Sequence, residues 1–154
     1  MTIKVITPQK NIVIAPYIKH GRFDGVHWIT LSEITFEIDG VRFRIPPGFL
    51  TDMGSIPRIA RMTVDRMGKS LVGFIIHDFL YSPDSGVTRK VADKVLYEIG
   101  RQHGESWYTA NKIYYAVRSF GWTAAAGANT YVPVSRATLD FVANSNGLQL
   151  VKES

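Results

Sequence analysis

The apolar positions change period part-way along the chain. In the first third, short runs rich in β-branched and aromatic residues recur between turn residues and read as strands. Ile3, Val5 and Thr7 alternate with Lys4 and Ile6, and a second run covers 11–17 beyond the turn residue Pro8. Further runs follow at 26–31, 34–38 and 41–45. Asp39-Gly40, between the last two, predicts a two-residue hairpin turn, because a type I′ turn needs positive φ at both central positions. Thr35, Glu37, Arg42 and Arg44 alternate with Phe36, Ile38, Val41 and Phe43, as in a half-buried antiparallel hairpin. Pro46-Pro47-Gly48 ends the sheet region, since neither proline can donate to a ladder, and 49–57 reads as a loop leaving it.

The second half has helical spacing. Residues 69–81 are apolar almost all round (Leu71, Val72, Phe74, Ile75, Ile76, Phe79, Leu80), which marks a buried helix. Residues 82–86, Ser-Pro-Asp-Ser-Gly, form a turn cluster. Thr88 then caps a second helix to about Gln102, with Val91, Val95, Leu96 and Ile99 on one face. A third fits 106–120, with Trp107, Ala110, Ile113, Tyr114 and Val117 inward and Gly121 as its stop. After Trp122 the pattern fails: 131–134 reads as a short strand broken by Pro133, and 136–142 as a short helix or arm. The expected architecture is α+β, an N-terminal antiparallel sheet packed on about three C-terminal helices. Residues 1–122 form the expected single domain, and 123–154 a C-terminal extension or docking arm without a core of its own.

Composition narrows the chemistry. A chain of 154 residues, 45% hydrophobic and 20% charged, is of a size for one folded core rather than two. There is no cysteine, which excludes disulfides, thiolate metal sites and a cysteine nucleophile. The net charge of +5 comes from scattered residues, so nucleic acid is not the expected partner. No run reaches the ~18 apolar residues of a membrane span, and the N-terminus lacks the apolar core and cleavage site of a secretory signal. The expected location is a host cytoplasm or a virus particle.

The candidate chemistry lies in the most hydrophobic helix, which carries His77-Asp78. A polar group buried without a partner costs roughly 2–7 kcal/mol, so partners are required. Tyr81 shares their helix face, and Arg89 and Asp93 form an i,i+4 pair on the next helix. Asp52 and Ser55 stand on the loop leaving the sheet. Two arrangements compete. In one, Asp52 or Asp78 pairs with Arg89 or Arg58 in a buried structural network. In the other, the cluster is a site. His77 is then a general base oriented by a carboxylate, with Asp52, Asp78 and Ser55 in catalytic roles and Arg58, Tyr81 and Arg89 binding substrate. Alternatively, Asp52, His77, Asp78 and Asp93 hold a divalent metal, zinc or manganese. Ser55 lacks the G-x-S-x-G elbow of a hydrolase nucleophile. The stretch 21–25, Gly-Arg-Phe-Asp-Gly, reads as a turn, and the Tyr114, Tyr115, Arg118 and Trp122 stripe as core edged by an arginine.

Residues 45–58 read IPPGFLTDMGSIPR and 77–81 read HDFLY. Followed by Arg89, Ala92-Asp93 and then YAVRSFG at 115–121, these blocks resemble a phage and prophage family catalogued as domain of unknown function number 1353. The resemblance runs from about residue 26 to 122, with Gly54 where the family usually has alanine and Pro46 where it often has valine. It implies an origin in a tailed phage or a prophage. It places Thr51, Asp52, Ser55, Pro57, Arg58, His77, Asp78, Tyr81, Arg89 and Asp93 in the family's motif blocks, without an activity to carry over.

Three functions are therefore expected, in this order. The first is a small hydrolase acting on cell wall or a phosphoester. The second is a non-enzymatic virion or tail-associated component, with other phage proteins or cell wall as partners. The third is a host-defence antagonist that sequesters a ligand or a partner.

Overall fold

A computed structural model describes residues 1–52, 68–124 and 131–153. It is an α+β chain with two small antiparallel sheets in its N-terminal half and helices in its C-terminal half. Six strands come first: β1 (Ile3–Val5), β2 (Ile14–Lys19), β3 (Arg22–Thr30), β4 (Ile34–Ile38), β5 (Val41–Ile45) and β6 (Leu50–Thr51). Four described α-helices follow: α1 (Leu71–Leu80), α2 (Arg89–Gln102), α3 (Trp107–Ala124) and α4 (Arg136–Glu153). The chain divides into two compact units, Met1–Leu50 with Thr130–Ser154, and Thr51–Asn129.

In the first unit, one sheet has the order β1-β4-β5. Its hairpin follows the sequence alternation: Ile34, Phe36 and Ile38 are buried, while Thr35 and Glu37 pair with Arg44 and Arg42 on the other face. Phe36 and Phe43 stack across the strands at 5.1 Å between centroids. Asp39 and Gly40 have φ of 49° and 81°, the left-handed pair that a type I′ turn requires.

The other sheet, β2-β3-β6, departs from the sequence expectation twice. The turn is made by His20-Gly21 alone (φ 52° and 73°), and Arg22 already belongs to β3, so 21–25 is not one turn. Gly25 (φ 77°) instead serves an irregularity within the strand pair. The chain also re-enters a ladder after the prolines. Gly48 N–H donates to the Thr30 carbonyl at 2.7 Å, and Thr30 N–H donates to the Phe49 carbonyl at 3.0 Å. Phe49 is fully buried, with its ring 5.5 Å from that of Tyr131. The expected short helix at 136–142 runs on to Glu153, started by Ser135, whose Oγ accepts from Thr138 N–H at 3.1 Å. That makes four described helices where about three were expected.

In the second unit, α1 is buried all round, as a helix this apolar must be: Val72, Phe74, Ile75 and Ile76 have no exposed surface. Thr88 caps α2 through Val91 N–H at 3.3 Å. Ala92, Val95, Leu96 and Ile99 on α2, and Ala110, Ile113 and Val117 on α3, complete the apolar faces. α1 packs on α2, and α2 on α3. A Cβ on Gly73 would lie 3.0 Å from Leu96 Cδ1, so the glycine lets α1 approach α2 closely one turn before His77.

Two details of α3 differ from expectation. It continues through Gly121 to Ala124, because one interior glycine costs a helix only about 1 kcal/mol. Trp107, expected inward, is 65% exposed on the first turn; a helical stripe is buried only as far as a neighbour covers it. No described helix is long and apolar enough to cross a membrane.

Candidate functional site: a buried histidine–carboxylate network

The site grows from the α1–α2 contact. On antiparallel neighbours, stepping one turn forward from Gly73 to His77 matches stepping back from Leu96 to Asp93. His77 Nε2 lies 2.7 Å from Asp93 Oδ1, with the two side chains 3% and 0% exposed. The Tyr81 hydroxyl, four residues on from His77, donates to the same oxygen at 2.5 Å. Its ring packs against the imidazole at 4.1 Å between centroids. From α3, Arg118 Nη1 donates to Asp93 Oδ2 at 2.9 Å. One fully buried carboxylate thus receives three donors, one from α1, one from the residue that caps its C-terminus and one from α3.

The other side of the imidazole differs. His77 Nδ1 is buried and has no hydrogen-bond partner among the described residues. Asp78 Oδ1 stands 3.8 Å from it, beyond hydrogen-bond range but well within Coulombic reach. Asp78 Oδ2 accepts a short hydrogen bond from the Thr51 hydroxyl.

The electrostatics follow from this geometry. Burial depresses the His77 imidazole, but the Asp78 and Asp93 carboxylates outweigh it and hold its pKa above the ordinary 6.5. Burial raises the Asp93 carboxyl, but the donors His77, Tyr81 and Arg118 outweigh it and hold it below the ordinary 3.8. Tyr81 is pushed well above its ordinary 10, first by burial and then by its bond to a carboxylate that favours the neutral phenol. The Asp93 carboxylate raises the Arg118 guanidinium.

The structure brings together His77, Asp78, Tyr81 and Asp93 of the residues singled out from sequence. It alters three assignments. The carboxylate bonded to His77 is Asp93, rather than Asp52 or Asp78. The guanidinium on Asp93 is Arg118; Arg89 is exposed at the start of α2, where its charge acts on Tyr81. The metal set Asp52, His77, Asp78 and Asp93 does not assemble: among the described residues no three His, Asp or Glu side chains converge at ligand spacing. Asp93 also has both oxygens engaged by donors, Oδ1 by His77 and Tyr81 and Oδ2 by Arg118, so a cation there would compete with bonds already made. Asp52 directly follows Thr51 and is half-buried. Ser55 and Arg58 lie outside the described residues. Sequence reading missed Arg118 as a site member, although its place three turns into an apolar-faced helix was a usable signal, and it missed the hydrogen bond from Thr51 to Asp78.

The fold and site define an α+β protein whose helical unit is organised around a buried histidine–carboxylate pair. The chain belongs to the family described as Protein of unknown function (DUF1353), whose model matches residues 28–117, more than half of its length. Thr51, His77, Asp78, Tyr81 and Asp93 fall inside the matched segment, and Arg118 follows it directly. No curated protein and no solved structure matches the chain.

Proposed function

We propose that this protein is a hydrolase in which His77, held through Nε2 by Asp93, takes a proton from an attacking water at Nδ1. One observation carries the reading: Nδ1 is buried and unpartnered among the described residues while Nε2 is fixed by a carboxylate. Leaving a buried polar atom unsatisfied costs about 1–3 kcal/mol; of the two such Nδ1 atoms among the described residues, those of His77 and His103, only that of His77 belongs to a ring held by a carboxylate. Asp93 selects the tautomer with Nε2–H and thereby leaves the lone pair on Nδ1. In the reaction the water proton passes to Nδ1, the water oxygen attacks the electrophilic carbon or phosphorus, and the imidazolium returns the proton to the leaving group. Asp78 favours the imidazolium as it forms. Arg89 is suited to an anionic part of the substrate, either cell-wall peptide or a phosphoester.

The test uses His77→Gln, which keeps an N–H for Asp93 but has no base. The wild-type protein is assayed on cell-wall fragments and on phosphomonoester and phosphodiester substrates. Turnover by the wild type should fall at least about 100-fold in the variant, in line with loss of a general base. Equal turnover by the two proteins, or none by the wild type, overturns the reading.

A second reading has its own support. Asp93 has no exposed surface and accepts from both neighbouring helices, which is what a staple of three helices requires. The protein is then a virion or tail-associated component without chemistry, and mass spectrometry should find it in purified phage particles. Absence from particles, together with turnover lost in His77→Gln, decides for the hydrolase.

A further inference from the structure

The hairpin of β2 and β3, in the first unit, carries a second feature that the helical network does not explain. Its strands pair Pro16 with Trp28 and then Ile18 with Phe23, so 24–27 bulge out opposite Tyr17. The bulge is fixed by Asp24. Its Oδ1 accepts from the N–H groups of Val26 and His27 at 2.7 and 2.8 Å, and its Oδ2 holds His27 Nδ1 at 2.5 Å. Those bonds lower the Asp24 pKa to about 2, backbone donation first, so Asp24 stays ionised and committed to the bulge. His27 Nε2 is left available.

Beside this bulge lies a cavity of about 670 Å³, within the size range of small-molecule sites. Its polar wall includes Lys19, Arg22 and His27, and its apolar wall Tyr17, Phe23 and Leu50. Lys19 and Arg22 are direct cross-strand partners. Like charges placed opposite one another destabilise a strand pair, and neither is neutralised by an acid among the described residues. Asp24, the one carboxylate in the wall, is bound to His27. The arrangement is a fixed excess of positive charge next to aromatic rings, of which Phe23 stays 39% exposed. Lys19, Arg22, Asp24 and His27 precede the segment 28–117 that the family model matches.

We propose that this cavity binds a nucleoside monophosphate, with Lys19 and Arg22 on the phosphate and Tyr17 and Phe23 against the base. Paired cations recognise the phosphate oxygens, and an aromatic face accepts any planar base. His27, held by Asp24, offers Nε2 to the phosphate or the ribose. The site is independent of the His77 network and does not rest on the hydrolase reading.

Isothermal titration of the full chain at low salt tests it, with AMP, GMP, CMP and UMP, the matching nucleosides, and inorganic phosphate as probes. At least one monophosphate should bind about tenfold or more tighter than its nucleoside and than phosphate alone. The Lys19→Ala/Arg22→Ala variant, altered only at exposed positions, should melt like the wild type and lose about tenfold in affinity. His77→Gln should bind as the wild type does. The proposal is overturned if no monophosphate binds, if a nucleoside binds as tightly as its phosphate, if the double variant binds normally, or if His77→Gln abolishes binding.

Discussion

Asp93 Oδ1 lies 2.7 Å from His77 Nε2 and 2.5 Å from the Tyr81 hydroxyl, so one oxygen fixes a side chain of α1 and the tyrosine that caps its C-terminus. Removing it leaves an imidazole and a phenol buried without their acceptor. Asp93→Ala should therefore cost about 3–5 kcal/mol, the range for breaking a buried pair from one side. Arg118, 39% exposed, can recover its loss from water and adds little. Urea denaturation measures the difference, and a loss under about 1 kcal/mol would show that the network does not hold the helices.

Tyr81→Phe is the gentler probe. It keeps the ring packed on His77 and removes only the hydroxyl that donates to Asp93. The bond has a charged acceptor, so the expected loss is about 1.5–3 kcal/mol. The His77 pKa should rise further, because Asp93 loses a competing donor and acts more strongly on the imidazole. Proton NMR titration of the His77 ring reads this shift, and an unchanged or lowered value would contradict the geometry.

The two pKa shifts set a window of stability. His77 is raised in the folded state, so its contribution is complete below 6.5 and is lost as pH climbs through its higher folded value. Asp93 is lowered, so its contribution is complete above 3.8 and is lost as pH falls through its lower folded value. The pair should stabilise most between those limits, and the melting temperature of the wild type should sag on the alkaline side more than that of His77→Gln. Hydrolysis should run the opposite way over the same alkaline limb, rising with pH as Nδ1 loses its proton. Parallel pH profiles of melting and turnover would contradict a shared imidazole.

Local rules made part of this legible. The Asp39-Gly40 hairpin, the Thr88 cap and the all-round burial of α1 each follow from a few neighbouring residues, and each is seen where it was expected. His77-Asp78 stood out because a polar pair in so apolar a helix demands partners. The identity of those partners was a tertiary matter. Arg89 is four residues from Asp93 in sequence, but helix packing brings Arg118 to that carboxylate instead, 25 residues away. Strand β6 was hidden for a similar reason: two prolines argue locally against a ladder, and the bonds between Thr30 and the 48–49 backbone are long-range. The stretch 21–25 reads as one turn in sequence, whereas the hairpin ends at His20-Gly21 and Gly25 belongs to an irregularity within the strand pair, a distinction that needs the pairing partner.

Gly48 supplies the last test, in the first unit. It has φ +95°, and a Cβ there would lie 2.3 Å from the Val132 carbonyl oxygen. Val132 N–H in turn donates to the Gly48 carbonyl at 2.8 Å, so the glycine is where the 131–134 segment meets the strands. Gly40 makes the control: φ is +81°, but nothing lies within 4 Å of a Cβ placed there. Gly40→Ala should cost only the left-handed strain, about 1–2 kcal/mol. Gly48→Ala carries that strain and a backbone clash as well, so it should cost clearly more and loosen the 131–134 segment. Limited proteolysis should cut Gly48→Ala near residues 131–134 while Gly40→Ala stays intact there. Equal melting temperatures for the two variants would mean that the close approach of Gly48 to Val132 is not a constraint on the fold.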